Sequence, residues 1–295
     1  MSLGLVFICG GPVDVKLQSN HSIRNIFMNL TAGYDSKVDG FKLAENFKDW
    51  QSGYKNLFEF ENDIASLSSL VVIFLESAGA LTEFGLFFAN EQLRSKLVVV
   101  LHEDFHNQES FIKFGLLDAM EFRDESSVKV YEIDHKNIEN VSKPEVKDIL
   151  DDILEHFESK DKTEKFNEND RGHQILLIYQ LVDLFLSLTK SEIMTHLKSL
   201  GIKCSVGELD SALYILQKFD LIVKQKKSSQ YFYSVPKDLS DRIDFHFKTI
   251  PEQRRYDRFT IKIEVRNFYA VSALKDASHK RRMKVIASHT AEDVE

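Results

Sequence analysis

Two carboxylates, Glu76 and Glu83, flank a segment whose composition changes abruptly from apolar to polar. The apolar run Leu70 to Leu75 is short and rich in β-branched and aromatic residues, and Glu76, Ser77 and Gly79 follow it at once. That pattern predicts a buried parallel strand, a tight turn and a helix, and ligands of open α/β sheets bind at such strand ends. Ser77 is the expected N-cap, and Glu83 is expected near the helix start, where backbone N–H groups favour an ionised carboxylate. A carboxylate held charged at a crevice is a candidate nucleophile, and Glu76, ending the strand there, is a second candidate catalytic carboxyl. Gly79 and Gly85 flank Glu83 as they would where backbone must come close to a ligand. A βα unit without chemistry shows the same strand, cap and early acid, so these residues nominate a site without proving one.

Composition bounds what can surround that segment. A chain of 295 residues with 43% hydrophobic residues can bury a large core and divide into two domains. Residues 1–170 hold 17 Lys+Arg against 31 Asp+Glu, whereas residues 171–295 hold 21 against 15. The acidic half is a poor nucleic-acid binder and the basic half a better one. Cys9 and Cys204 fall in different expected domains, which argues against a disulfide and for a reducing compartment. No metal-type Cys/His spacing occurs, so no metal is expected. The start lacks a charged leader, and Ile175 to Leu188 is interrupted by Tyr179, Gln180 and Asp183; a soluble cytoplasmic protein without membrane contact is the expectation.

The first half alternates strand and helix patterns. Leu3 to Cys9 reads as a strand ending in Gly10-Gly11-Pro12, with a helix from about His21 to Leu30, a short strand Phe41 to Ala44, the central strand, a helix Ala80 to Leu93, strands Lys96 to Leu101 and Val128 to Ile133, and a closing helix Glu145 to Phe157. Repeated βα units imply a parallel sheet with helices on both faces. The polar run Glu158 to Arg171 is the best linker candidate. Beyond it come helices His173–Leu188, Lys190–Leu200 and Val206–Phe219, then strands Leu221–Gln225 and Gln230–Val235. Three helices closed by a basic hairpin describe a winged helix. Its third helix is only weakly basic, so the nucleic-acid-binding candidates are Lys224, Lys226 and Lys227 on the wing and Arg254, Arg255 and Arg258 in the tail, with a further cluster at Lys280 to Lys284. Cations on edge or flexible elements suit phosphate contact without base selection. A solvated basic surface is the competing reading.

Gly10-Gly11-Pro12, Glu76-Ser77-Ala78-Gly79 and Thr82-Glu83-Phe84-Gly85 together resemble the nucleoside 2-deoxyribosyltransferase-like fold. Ser22-x-Arg24, Glu61-Asn62, Asn90-Glu91-x-Leu93-Arg94-x-Lys96 and Ser110-Phe111-Ile112-x-x-Gly115 make the chain similar to one branch, the effectors of retron antiphage systems, over residues 1 to about 120. The resemblance implies an α/β chain: a parallel-sheet, flavodoxin-like, nucleoside deoxyribosyltransferase-like catalytic domain at 1–158, a polar linker at 159–171, and a mainly helical winged-helix domain with a basic tail at 172–295. It further implies a toxic effector, restrained or activated by a retron reverse transcriptase and its msDNA or noncoding RNA and assembling as a homo-oligomer. Such an effector cleaves an N-glycosidic bond, with NAD as substrate and no cofactor, and Glu83 takes the nucleophile's place.

Chemistry favours NAD as well. Its nicotinamide is already cationic and leaves neutral, so one carboxylate opposing the oxocarbenium-like carbon lowers the barrier without a general acid. Arg24 is a candidate for holding a phosphate, Glu45 for accepting ribose hydroxyls, and Gly10, Gly11, Ser77, Gly79 and Asn90 for lining the substrate site. Two other readings stand beside this one. The chain could be an N-glycosidase or deoxyribosyltransferase acting on nucleosides or nucleotides, or a nucleic-acid-binding regulator that senses a nucleotide without breaking it.

Overall fold

A computed structural model describes residues 4–13, 21–31, 40–134, 137–160, 164–239 and 257–288. The chain is an α/β protein with a five-stranded, wholly parallel sheet. Its contacts divide it into two units, one comprising Ser2–Lys48 with Ile64–Glu164 and the other Asp49–Asp63 with Lys165–Glu295. The sequence reading places residues 49–63 in the first domain; their contacts group them with the second unit instead.

In the first unit, strands β1 (Leu5–Cys9), β2 (Gly40–Lys42), β3 (Leu70–Phe74), β4 (Leu97–His102) and β5 (Val128–Tyr131) lie in the order β2-β1-β3-β4-β5. β1 and β3 run in register, Cys9 beside Ile73, and every residue of both strands is buried. Such burial requires cover on both faces. On one face Val6, Ile8, Val72, Phe74 and Val98 pack with helices α1 (Ile23–Thr31) and α7 (Lys143–Ser159). On the other, Phe7 meets Phe87 of helix α3 (Ala78–Ala89) edge-on at 6.4 Å. Helix α2 (Leu57–Leu67) leads into β3, and the short helices α5 (Glu103–His106) and α6 (Asp118–Arg123) lie between β4 and β5 in the chain. After β1 the chain moves to β2 on one side, and later to β3 on the other, so the strand order reverses between β1 and β3. A crevice opens at the carboxyl ends of strands at such a reversal.

In the second unit, helices α8 (Arg171–Leu184), α9 (Lys190–Ser199) and α10 (Val206–Lys218) precede an antiparallel hairpin of β6 (Val223–Lys227) and β7 (Gln230–Ser234). Leu188, between α8 and α9, bridges to Tyr233. Asp170, Thr189 and Ser205 cap the three helices, the latter two in boxes with Glu192 and Glu208.

The sequence reading treats the basic tail as flexible. Its described part instead forms two helices, α11 (Arg258–Ser272) and α12 (Ala277–Ser288), which pack on α8 and on the hairpin. Three of their cations, Arg258, Lys262 and Arg282, face inward, whereas Arg266, Lys280 and Lys284 are exposed. Arg258 and Lys262 both pair with buried Asp183, and Arg282, 1% exposed, pairs with Glu192 and lies 4.4 Å over the Tyr269 ring. Arg258 therefore serves an internal ion pair and is not free for phosphate, whereas Arg254 and Arg255 lie outside the described residues. Among the described residues no helix is long and apolar enough to cross a membrane. Removing Arg282 takes one partner from Glu192, which keeps its Thr189 donors, and opens a void beside Tyr269, so Arg282→Ala should cost about 2 kcal/mol. Its neighbour Arg281, bonded to Gln230, should cost under about 1 kcal/mol when truncated. Urea unfolding midpoints at an unchanged m-value decide both.

Candidate active site at the sheet switch point

The Gly10-Gly11 turn after β1 is shaped by what packs upon it. Gly10 has φ +153, and a Cβ there would sit 2.8 Å from Arg24 Cδ; one on Gly11 would meet Ser22 Cβ at 2.8 Å and Glu76 Oε1 at 3.0 Å. Only glycine permits both contacts. Glu76, just beyond β3, accepts the backbone N–H groups of Gly11 (3.1 Å), Ile23 (2.7 Å) and Arg24 (3.1 Å). Both of its oxygens are thereby engaged at the amino end of α1, where unpaired donors concentrate. Burial pushes its carboxyl above the ordinary range, and these donors and the Arg24 guanidinium pull it back. The sequence reading makes Glu76 a second catalytic carboxyl. Its bonds make it the clasp between β3, the glycine turn and α1.

Arg24 is likewise committed. Its side chain is 5% exposed, and Nη1 donates to the carbonyls of Gly10 (3.2 Å) and Gly11 (3.0 Å) while Nη2 pairs with Glu45 at 2.7 Å. The expected phosphate clamp is thus occupied in holding the turn and Glu45. Glu45 itself is 48% exposed, on a single 3-10 turn, Ala44–Asn46, after β2. Ser77 caps α3 by accepting the Ala80 N–H at 3.1 Å, as the sequence suggests. Among the described residues nothing lies within 4 Å of a Cβ built on Gly85, and one on Gly79 would touch only Ser77 Oγ at 3.7 Å. Packing thus demands glycine at neither position. Asn90 caps the short helix α4 (Glu91–Arg94) through the Gln92 N–H. It lies beyond the far end of α3 from Ser77, about 18 Å along the axis at ~1.5 Å per residue, and the structure does not bring it to the turn.

Glu83 differs from Glu76 in its hydrogen bonding and its place on the helix. It is the sixth residue of α3, beyond the first turn, so the helix end gives it little of the expected help. Burial instead raises its pKa, Arg24 opposes the rise, Glu45 adds to it, and a hydrogen bond from the Cys9 thiol lowers it. Glu83 Oε2 is buried without a hydrogen-bond partner. Cys9, last residue of β1 and 3% exposed, escaped the sequence reading as a site residue; its signal was its place immediately before the glycine turn. Glu83, Glu45, Arg24 and Cys9 thus share one electrostatic environment at the ends of β1 and β3. Among the described residues no His/Cys/Asp/Glu cluster could hold a metal ion.

The wing is organised differently. Lys224 and Lys226 stand at alternate positions of β6, opposite Tyr233 and Tyr231 on β7, and so project from one face. Their ammonium groups lie 4.6 and 5.6 Å from the Tyr231 ring centre. Lys227 pairs with Gln230 and belongs to the other face.

A family model described as STM3845 retron effector protein matches residues 20–227. Two Escherichia coli proteins match a shorter region. One, of retron Ec86, is 32% identical over 112 residues, which is 37% of this chain and 35% of that protein. The other, of retron Ec73, is 33% identical over 120 residues, 39% of this chain and 37% of that protein. Both carry the provisional name ribosyltransferase/DNA-binding protein. Each match thus spans little more than a third of the relative's length.

The two carboxylates should separate in stability tests. Glu76→Ala leaves three N–H donors unpaired and should cost about 2–3 kcal/mol. Glu83 has its folded pKa above the unfolded value, so its contribution is fullest below the ordinary value of 4.5 and is lost as pH rises through the folded value. Glu83→Gln, neutral throughout, should therefore be more stable than the parent near neutral pH, with the advantage fading as pH falls through the raised folded value and gone below 4.5. Urea titrations at the two pH extremes check this, and a Gln variant less stable at neutral pH contradicts it.

Proposed function

Because this chain belongs to the STM3845 retron effector protein family, we propose that it is a retron effector that cleaves the N-glycosidic bond of NAD, with Glu83 as the catalytic carboxylate. One observation carries the reading: Glu83 keeps a buried oxygen without a partner at the crevice where an α/β sheet takes its ligands. A structural carboxylate in that neighbourhood looks like Glu76, satisfied by three donors. The relatives' ribosyltransferase name points to the same class of bond.

In the proposed reaction the bond between ribose C1′ and the pyridinium nitrogen breaks, and its electron pair goes to that nitrogen, releasing neutral nicotinamide. Positive charge grows at C1′, where the Glu83 carboxylate opposes or captures it. Water then adds to C1′ and gives up a proton to solvent, and where the carboxylate has bonded to C1′ that C–O bond breaks with its electron pair returning to Glu83, leaving ADP-ribose. Glu45, half-exposed and held by Arg24, accepts ribose hydroxyl hydrogen bonds. Arg24 fixes the turn and Glu45, and its field helps ionise Glu83. A purine nucleoside needs its base protonated as it leaves, and Glu76, spent on backbone donors, is poorly placed to supply that proton. This favours NAD over nucleosides.

For the second unit we read α8, α9, α10 and the β6–β7 hairpin as a winged helix that contacts the msDNA of a retron complex with its reverse transcriptase. Lys224 and Lys226 meet phosphates there, and Tyr231, 47% exposed, offers a stacking surface.

Glu83→Gln keeps the volume and removes the charge, and should slow nicotinamide release by the activated protein about a hundredfold or more, equivalent to ~3 kcal/mol of transition-state stabilisation. A folded variant that releases nicotinamide at the parental rate removes Glu83 from the chemistry. An activated parent that leaves NAD intact but cleaves nucleosides or nucleotides moves the substrate to that class; one that binds a nucleotide and breaks nothing favours the regulator. For the wing, replacing Lys224 and Lys226 together should weaken binding equally to unrelated DNA sequences and reduce the salt slope by about 2. An unchanged slope removes these lysines from the interface.

A further inference from the structure

Between β4 and β5 of the first unit a π-helical turn, Ile112–Leu117, runs straight into α6. Leu117 and Met120 are buried and mark the inward side of this helix. Phe111, Phe114 and Phe122 are instead 79%, 62% and 96% exposed. One exposed apolar residue is ordinary, but three rings within twelve residues of a single helix make a patch. Covering them would remove roughly 400 Å² from water, about half of what one partner contributes to a stable interface.

The rings stand on a braced support. Phe111 lies against Gly115, where a Cβ would come within 3.1 Å of its ring. In an α-helix residues five apart point about 140° away from one another, whereas the wider π turn brings Lys113 and Asp118 together at 2.8 Å. The Lys113 ammonium also reaches Glu121 at 3.0 Å, and His106 of α5 lies 2.7 Å from the other oxygen of Glu121. This network ties α5, the π turn and α6 into one body, so little further ordering is needed when a partner covers the patch.

The surrounding charge selects the partner. Glu103 to Ser127 holds seven acidic residues against two basic ones. Lys113 takes up Asp118 and Glu121, and Lys160 takes up Asp124 at 2.9 Å. Asp104, Glu109 and Glu125 stay exposed. Such a rim repels phosphate-bearing partners, nucleic acid and anionic bilayers alike. It attracts a protein face with cations around apolar pockets, where arginines also find ring faces to lie upon.

We propose that Phe111, Phe114 and Phe122 anchor a docking surface for a cationic protein, the reverse transcriptase of the retron complex. A protein that holds a nucleic-acid backbone carries basic surface, which supplies the complementary charge. The proposal rests on the reading of this chain as a retron effector. It divides the contacts of that complex by charge: the acidic segment between β4 and β5 meets the protein, and the basic wing meets the msDNA.

The test uses the full chain and two probes, the reverse transcriptase–msDNA complex and msDNA alone. Phe114→Ser and Phe122→Ser, made together, should weaken binding to the complex about tenfold or more and leave binding to msDNA alone unchanged. Phe122→Ser by itself, at the most exposed of the three positions, should act in the same direction with an unchanged urea midpoint. Asp104→Lys with Glu109→Lys should slow association with the complex and alter its salt dependence. Parental affinity for the complex in the double Ser variant overturns the docking surface and leaves the retron reading standing. Equal losses toward both probes assign the rings to nucleic acid and overturn it as well. A parent that binds neither probe overturns the docking surface and the retron reading together.

Discussion

The seating of the Glu76 carboxylate on the N–H groups of Gly11, Ile23 and Arg24 is the contact on which the first unit's crevice depends. It joins the end of β3 to the turn after β1 and to the start of α1, the three elements that separate where the strand order reverses. Arg24 enters α1 at that point, and so its guanidinium falls beneath the glycine turn and reaches Glu45. Each link requires the last. The two glycines are needed because Arg24 and Glu76 occupy the space their side chains would take.

Glu83 lacks the donors that hold Glu76. Folding leaves one of its oxygens buried and unpaired and raises its pKa, which costs stability near neutral pH. Proteins tolerate such features chiefly where function needs them. Two carboxylates seven residues apart thus have opposite environments, one clamped by donors and the other held ready. The same division marks the cations of the second unit: Arg258, Lys262 and Arg282 are internal partners, and Lys224 and Lys226 stand on an exposed face.

The sheet was legible because its strands are buried on both faces, and uninterrupted apolar runs such as Leu70 to Leu75 leave little alternative. The cap at Ser77 was legible for an equally local reason, a hydroxyl three residues before a free N–H. The tail helices were harder to see, because the apolar residues of Arg258–Ser272 only sparsely mark a buried face and their anchoring comes from Asp183, some eighty residues away in sequence. The role of Glu76 was hidden for the same reason. Its partners are backbone groups more than fifty residues distant, and no side-chain pattern announces a backbone donor. Position near a helix start suggested a lowered pKa for Glu83, but the helix begins one full turn and more before it, so burial decides the sign.

The central claim, that the ionised carboxylate of Glu83 drives bond cleavage, is tested most directly by the pH dependence of kcat/KM for nicotinamide release, which reports ionisations of the free enzyme. The account predicts an acid limb with a single apparent pKa above the ordinary glutamate value of 4.5, and the loss of that limb from the residual activity of Glu83→Gln. An acid limb that persists unchanged in the Gln variant would contradict it.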